Sequence, residues 1–331
     1  MRIPHLKIQE ILLQKLLLLG FREAKAEMLS KTFMESSLDG VYSHGLNRFP
    51  RFHKNVKQGY VHPNAEPEKI SSSANLEQWD GNLGPGIYNA TRCMSRAMEI
   101  AGDAGIGCVA LSNTNHWMRG GTYGWQAAEN GFIGICWTNT APNMVAWGSK
   151  SALLGNNPLV IAIPREEGHV VLDMAMSQYS YGKMHTLEIN NKMLEFPGGL
   201  DHSGHLTRDP AIIMETEKAI PMGFWKGSAL SIVLDMLAAI LSSGKATHSI
   251  GMESEEYRLS QVFIAIHTQW LDPKLRDATI NDIIRNIHTA EPAKEGDRTY
   301  YPGERILLTR KENLKSGIPV NKDIWNTILN L

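Results

Sequence analysis

The sequence predicts a mixed α/β protein, because helical and strand patterns alternate through its middle while both of its ends are helical. Apolar residues recur every three or four positions over residues 6–19 and 23–38, which is typical of two amphipathic helices. The chain has 331 residues, 43% of them hydrophobic and 20% charged. It is therefore long enough to bury a sizeable core in one large or two medium domains.

The elements of the middle follow one another as helix and strand. Residues 87–101, 122–129 and 228–241 are predicted helices, and the last is apolar nearly all round, so we expect it to be fully buried. Predicted strands cover residues 107–111, 132–137, 159–163, 170–173 and 261–266.

The flanking segments complete a discontinuous arrangement. Residues 59–73 are polar and proline-bearing, which indicates a loop, and residues 272–331 return to amphipathic helices around the loop Tyr301-Pro302-Gly303. We therefore expect a helical domain built from residues 1–70 and 272–331, and a mixed-sheet, cofactor-binding domain over residues 71–271.

Charge and cysteine content narrow the class of protein. The formal net charge is -1, so no basic excess favours nucleic acid or an anionic membrane surface. Cys93, Cys108 and Cys136 are far apart and flanked by apolar residues, as expected of reduced, buried thiols. With no membrane-spanning run and no signal-peptide pattern, these features predict a cytoplasmic protein.

The segment Tyr42-Ser43-His44-Gly45-Leu46-Asn47-Arg48 carries the first candidate site. If it is helical, His44 and Arg48 lie four residues apart and share a face. An imidazole can donate a proton near neutral pH, and a guanidinium can hold a carboxylate with two hydrogen bonds. Reduction of a 2-keto acid needs both groups. The spacing also fits an ordinary polar helix surface.

Three further segments could contribute to a site. Asn115-His116-Trp117-Met118-Arg119-Gly120-Gly121 follows a predicted strand, where α/β folds place ligands. Asp173 ends another strand and could hold a sugar hydroxyl or cap a loop. Residues 221–228 combine an aromatic ring, Lys226 and the start of a helix, a combination suited to a nucleotide.

Other common signatures are missing or ambiguous. The chain has no Gly-x-Gly-x-x-Gly after a strand, no His-Glu-x-x-His and no Gly-x-Ser-x-Gly. We therefore expect neither a Rossmann dinucleotide site, nor a catalytic metal, nor a serine hydrolase. The glycines of residues 81–86 could expose amides to an anion, although a plain turn explains them as well.

Taken together, these motifs resemble the type-2 malate/L-lactate dehydrogenase family, whose members use NAD(P) without a Rossmann fold. The resemblance spans nearly the whole chain and is carried by Tyr42-Ser43-His44-Gly45 with Arg48, Asn115-His116, Gly155-Asn156-Asn157-Pro158, Asp173 and Trp225-Lys226-Gly227. It implies a seven-stranded mixed sheet and a homodimer. It also implies that His44 donates the proton and Arg48 holds the substrate carboxylate, with His116 as a second catalytic candidate.

The resemblance further implies a cofactor site made of three segments. These are His169, Val170, Val171, Leu172, Asp173 and Met174; Trp225 and Lys226; and Gly303, Glu304 and Arg305. NADH is the expected cofactor, with NADPH as an alternative. Many relatives have Gly-Gly-x-Lys-Gly where this chain has Gly223-Phe224-Trp225-Lys226-Gly227, and this bulkier segment leaves the choice between NAD and NADP open.

The expected activity is reduction of the C2 ketone of a 2,3-diketo sugar acid. Malate, L-lactate or ureidoglycolate dehydrogenation within the same family is the alternative. A non-catalytic sugar-acid sensor is a more distant one, which the presence of His44 argues against.

Overall fold

The computed structural model describes all 331 residues and contains 13 strands, 12 α-helices and two 3₁₀ turns. The strands are β1 (Arg2–Ile3), β2 (Glu68–Ser73), β3 (Leu76–Asp80), β4 (Ile106–Thr114), β5 (Phe132–Thr138), β6 (Met144–Val145), β7 (Ala152–Leu154), β8 (Leu159–Ile163), β9 (Val170–Met174), β10 (Gly199–Leu200), β11 (Leu206–Thr207), β12 (Leu259–His267) and β13 (Ile318–Pro319).

The five helices whose bounds were predicted, α1, α2, α4, α5 and α8, begin and end close to the predicted positions, whereas α3, α6, α7 and α9 were not predicted. They are α1 (His5–Leu18), α2 (Glu23–Leu38), α3 (Phe49–Lys57), α4 (Gly86–Ala104), α5 (Gly121–Glu129), α6 (Tyr181–Ile189), α7 (Pro210–Thr216), α8 (Trp225–Ser242), α9 (Thr247–Ile250), α10 (Pro273–His288), α11 (Glu304–Ser316) and α12 (Lys322–Asn330). The 3₁₀ turns are Tyr42–His44 and Leu46–Arg48.

A seven-stranded mixed sheet forms the centre, which confirms the predicted fold class. Its strand order is β2-β3-β4-β12-β5-β8-β9. Only β3 and β4 run parallel, and every other neighbouring pair is antiparallel. The central strand β12 pairs with β4 on one side and β5 on the other, and five of its nine residues from Leu259 onwards are buried without interruption.

Helices cover both faces of this sheet, because successive side chains of a strand point to opposite faces and those of β12 are buried on both. Phe263 and Ala265 of β12 face α4 and α5 in one buried cluster, whereas Val262 faces α8 in another. Burial on both faces explains why the inner strands read as short continuous apolar runs in the sequence.

The two ends of the chain pack together around a separate core of 21 buried residues. This core joins Leu12 and Leu16 of α1 and Phe33 of α2 to Trp325 and Ile328 of α12. Strands β1 and β13 also pair antiparallel. The domain boundaries at residues 70 and 272 remain a prediction. Strand β2 belongs to the central sheet and begins two residues before the first boundary.

Two predictions about individual elements are wrong. Residues 59–73 are not all loop, because Glu68–Ser73 form the edge strand β2, whose residues are all exposed and so show no apolar alternation. Helix α8 is not fully buried. Leu234 and Ala238 pack on the sheet, but five apolar side chains on the rest of its surface are 36–71% exposed: Ile232, Val233, Met236, Leu237 and Ile240.

By length and composition alone, α8 could also cross a membrane. Its packing against the sheet accounts for part of its apolar composition, and nothing else in the structure points to a membrane. The three cysteines are unpaired, as predicted, with Cys93 and Cys136 buried and Cys108 partly so.

A buried ion network connects the helical ends to the sheet. Asp39, which follows α2, is 8% exposed and accepts hydrogen bonds from Arg119, in the loop after β4, and from Arg310 of α11. Arg310 also donates to Glu35 at 3.2 Å. Three distant parts of the sequence therefore meet at one carboxylate.

We expect Asp39→Asn to lower the free energy of unfolding by about 3–5 kcal/mol, because it removes one charge from a buried network and leaves Arg119 unpaired. Urea denaturation at equal protein concentrations measures this loss. Glu35→Gln is the matched control, since Glu35 is about one third exposed and should cost less than about 1 kcal/mol. Equal losses in the two variants would contradict the special role of Asp39.

Candidate active site

His44 and Arg48 lie on two consecutive 3₁₀ turns and not on one helical face. Gly45 separates the turns at φ −108° and ψ −123°. A Cβ on Gly45 would collide with Ser37 Oγ, which itself accepts a hydrogen bond from the Leu46 N–H at 2.8 Å. The condition under which His44 and Arg48 would share a helical face is therefore not met.

The two candidate histidines meet although 72 positions separate them in the sequence. The rings of His44 and His116 stack with centroids 5.8 Å apart and planes 18° apart. His44 Nδ1 lies 3.0 Å from Ser43 Oγ. Both side chains are partly buried, so the pair is held by protein and still reachable by a small molecule.

The loop after β4 fixes His116 in one tautomer. Asn115 anchors this loop by donating to the carbonyl oxygens of Tyr60, Leu83 and Gly84 at 2.9–3.1 Å. The Met118 N–H, from a residue with a φ of 64°, donates to His116 Nδ1 at 3.0 Å. Because Nδ1 accepts this bond, neutral His116 carries its proton on Nε2 and can donate from there.

The surroundings of both histidines favour their neutral forms. Burial lowers the pKa of His44 to about 4, and the positive charges of Arg48 and Arg119 act in the same direction. Burial also lowers the pKa of His116 well below its ordinary value, with a further contribution from Arg48. An anion placed beside Arg48 would oppose the effect of this guanidinium and raise both pKa values.

Arg48 and His116 line one small, open cleft. The other lining residues are Arg51, Phe52, Asn55, Val61, Asn115, Met118 and Glu256. The Arg48 side chain is 27% exposed, and its closest carboxylate oxygen, on Glu256, is 3.6 Å away. This distance is too long for a hydrogen bond, so the Arg48 guanidinium is free to hold a carboxylate.

Two of the three predicted cofactor segments meet directly. The Val171 N–H donates to the Pro302 carbonyl at 2.9 Å, which places the strand His169–Met174 against Gly303. Gly303 has a φ of +99°, and a Cβ there would lie 3.2 Å from Val171 N. Glycine at this position therefore permits the close approach of the two segments.

Asp173 joins this region to the loop of His116. Its carboxylate accepts a hydrogen bond from the Gly121 N–H at 2.8 Å. The dense protein around it raises the pKa of Asp173, while Arg119 and the Gly121 N–H oppose the shift. Beside it, Nε and Nη2 of the buried Arg119 have no acceptor within the chain.

The side chains after Gly303 already have partners. Glu304 accepts hydrogen bonds from His288, Arg298 and the Tyr301 N–H at 2.7–3.2 Å. Arg305 lies over the ring of Tyr300, 4.3 Å from its centroid. The Glu304 carboxylate therefore stabilises the turn that carries Gly303.

Trp225 and Lys226 are exposed at the start of α8. They lie near the end of β9, because the Met222 N–H donates to Met176 O at 2.8 Å. The amides of Lys226 and Gly227 donate to Gly223 O and Met222 O at 3.0–3.2 Å. This helix start consequently offers fewer free N–H groups than its sequence suggests, and Lys226 is its only cation.

Several residues of the cleft were not identified from the sequence. Arg51 follows Arg48 by three positions, a spacing that could have suggested a shared face at the start of α3. Glu256 had no comparable signal, because only the fold brings it across from Arg48. The glycine-rich residues 81–86 form a turn whose amides bond to Ser112, Asn113 and Gly81, which supports the turn interpretation.

Comparison with known proteins agrees with this architecture over its full length. The malate/L-lactate dehydrogenase family profile matches residues 3–329. The chain is 43% identical over 330 residues to the 2,3-diketo-L-gulonate reductase of Citrobacter koseri, covering 99% of both proteins. It is 44% identical over 333 residues to the protein of the same name from Pasteurella multocida, covering 100% of both.

Solved structures of the family show the same fold. Malate dehydrogenase from Entamoeba histolytica superposes with a TM-score of 0.94 at 27% identity, over 100% of this chain and 98% of that one. Sulfolactate dehydrogenase from Methanocaldococcus jannaschii superposes with a TM-score of 0.87 at 27% identity, with the same coverage. The chain therefore belongs to the malate/L-lactate dehydrogenase family and is an oxidoreductase of the kind that uses a nicotinamide cofactor.

Proposed function

We propose that this oxidoreductase reduces the C2 ketone of 2,3-diketo-L-gulonate to 3-keto-L-gulonate with NADH. The observation that carries the proposal is the stacking of His44 on His116, which lines one cleft together with Arg48. The two full-length relatives named as reductases of this substrate, at 43–44% identity, support the choice of substrate.

The side chains suit the two demands of ketone reduction. Arg48 would hold the substrate carboxylate, with Arg51 adding positive charge at the mouth of the cleft. His44 would donate the proton to the ketone oxygen, and His116, neutral with its proton on Nε2, would donate a hydrogen bond to the same oxygen. The nicotinamide cofactor supplies the hydride when bound.

Substrate charge and proton donation are coupled in this arrangement. In the ligand-free protein His44 is neutral at pH 7, because its pKa is about 4. A carboxylate bound to Arg48 offsets one of the charges that lower this pKa. The acid form of His44 therefore becomes more populated when its substrate is present.

Malate, L-lactate or ureidoglycolate dehydrogenation remains the alternative activity. The similarity to the Entamoeba histolytica malate dehydrogenase favours it, although at 27% identity it is weaker support than that of the reductases. A non-catalytic sensor would not need the His44–His116 pair. Turnover on a panel of 2-keto acids separates these functions.

For the cofactor site, we propose the segments His169–Met174, Trp225–Lys226 and Gly303–Arg305. Their chemistry fits a dinucleotide, because Asp173 can accept hydrogen bonds from ribose hydroxyls and Lys226 can pair with a phosphate. We propose NADH as the cofactor, with NADPH as the alternative.

We also propose that the protein is a homodimer and cytoplasmic. The exposed apolar face of α8 is the surface that a second copy would cover, since a continuous apolar surface of this kind is typical of an interface. Three unpaired cysteines fit a reducing compartment.

We expect His44→Ala to lower kcat for reduction by about two to four orders of magnitude, the usual contribution of a positioned acid. NADH oxidation with 2,3-diketo-L-gulonate measures it. In the parent, kcat/KM should fall as pH rises, because the free enzyme's proton donor must be protonated. The fall in kcat should occur at a higher pH, because bound substrate raises the pKa of His44. A His44→Ala variant within threefold of the parent, with His116→Ala inactive, would assign the proton to His116.

Lys226→Met tests the cofactor segment at the start of α8. We expect the Kd for NADH to rise about tenfold or more, the effect of losing one charge-assisted hydrogen bond. Titration of NADH fluorescence measures it, and NADPH is titrated in parallel. Lys322→Met, at an exposed lysine of α12, is the control. An unchanged Kd in Lys226→Met would remove this segment from the cofactor site.

Ile240→Glu tests the proposed interface, because Ile240 is the most exposed apolar side chain of α8, at 71%. We expect the parent to sediment at twice the chain mass of 36.9 kDa and the variant to dissociate. Leu18→Glu, at an 81% exposed site on α1, should leave the mass unchanged. A parent that sediments as a monomer would contradict the proposal.

A further inference from the structure

We propose that Glu256 determines which substrate tail the cleft accepts, favouring an uncharged, hydroxyl-bearing tail and rejecting a second carboxylate. The inference rests on the proposed function, because it takes Arg48 as the partner of the substrate carboxylate. It assigns to Glu256 a specificity role that concerns the substrate atoms beyond that carboxylate.

Glu256 lines the cleft, and its carboxylate is held in place by the protein. Its side chain is 14% exposed, and its Oε2 faces Arg48 Nη2 at 3.6 Å. Its Oε1 accepts a hydrogen bond from the Ala141 N–H at 3.3 Å. The carboxylate is thus held in place from one side while its other oxygen stays beyond hydrogen-bonding distance of Arg48. A substrate can enter without breaking a tight ion pair.

The residues around Glu256 hold its segment over the cleft. Glu255 pairs with Arg51 at 3.1 Å and with Lys54 at 3.7 Å, both on α3. Ser254 Oγ lies 2.9 Å from Tyr60 Oη, and the ring of Tyr257 lies 5.1 Å from that of Tyr60. These contacts fix the position of Glu256 relative to Arg48, as a specificity residue requires.

The charges of the cleft then decide which tail fits. Arg48 and Arg51 are balanced by Glu256 and Glu255 before any ligand enters. The first carboxylate of a substrate gains the free donors of Arg48. A second carboxylate would meet Glu256, and like charges brought together in a partly buried site repel. Hydroxyl groups instead find an acceptor, because the Glu256 carboxylate has lone pairs that Ala141 does not use.

The test compares tails of different charge in the parent and in Glu256→Gln, which keeps the shape and an oxygen for Ala141. The readout is kcat/KM with NADH for pyruvate, oxaloacetate and 2,3-diketo-L-gulonate. We expect the ratio of kcat/KM for oxaloacetate to kcat/KM for pyruvate to rise about tenfold in the variant, since the repulsion between the second carboxylate and Glu256 is removed. The ratio of 2,3-diketo-L-gulonate to pyruvate should fall, because an amide oxygen accepts hydrogen bonds from hydroxyls less strongly than a carboxylate.

Glu255→Gln is the matched control, because it removes the same charge one residue away, where the carboxylate pairs with Arg51 and Lys54. It should change all three substrates by a similar factor. An unchanged oxaloacetate to pyruvate ratio in Glu256→Gln would overturn the proposal. So would an equal gain for all three substrates, which would mean that Glu256 only weakens Arg48.

These outcomes are separable from those of the proposed function. A parent that prefers oxaloacetate to 2,3-diketo-L-gulonate would contradict both. A parent that reduces neither sugar acid nor oxaloacetate would contradict the function alone, and binding then decides the role of Glu256. In that case Glu256→Gln should lower the Kd for L-malate about tenfold and leave that for L-lactate unchanged, as followed by tryptophan fluorescence. Equal Kd changes for both would overturn the proposal.

Discussion

The buried carboxylate of Asp39 is the constraint on which the rest of the structure depends. It lies between the guanidinium groups of Arg119 and Arg310 and brings together the end of α2, the loop after β4 and helix α11. A buried charge without a partner is costly, so the meeting of these three parts stabilises the fold. Arg119 is also three residues from His116, and the network consequently places the site loop against the helical unit.

The site is assembled from short segments that stable elements hold in place. His44 and Arg48 come from the turns after α2, His116 from the end of β4, and Glu256 from the segment before β12. Their charges are balanced before a ligand binds, and the surrounding protein keeps both histidines neutral. An anion bound at Arg48 would change this balance. In the proposed function, the charge that binds the substrate would therefore also promote protonation of His44.

Helix α8 shows that one element can serve two surfaces. Leu234 and Ala238 complete the core on one face of the sheet, while Ile240 and its neighbours remain exposed on the opposite side. The same helix begins at Trp225 and Lys226, in the proposed cofactor site. If a second copy covers its apolar face, assembly and cofactor binding depend on the same helix.

The sequence by itself determined the mixed α/β class and the inner strands, because burial on one or both faces leaves a local periodic pattern. It also supplied His44, Arg48 and His116 as candidate site residues. It did not reveal the edge strand β2, whose residues are all exposed. Only the tertiary structure decided that His44 and Arg48 lie on 3₁₀ turns, that His116 carries its proton on Nε2, and that Glu256 faces Arg48. These features arise from contacts between residues far apart in the chain, which no local pattern records.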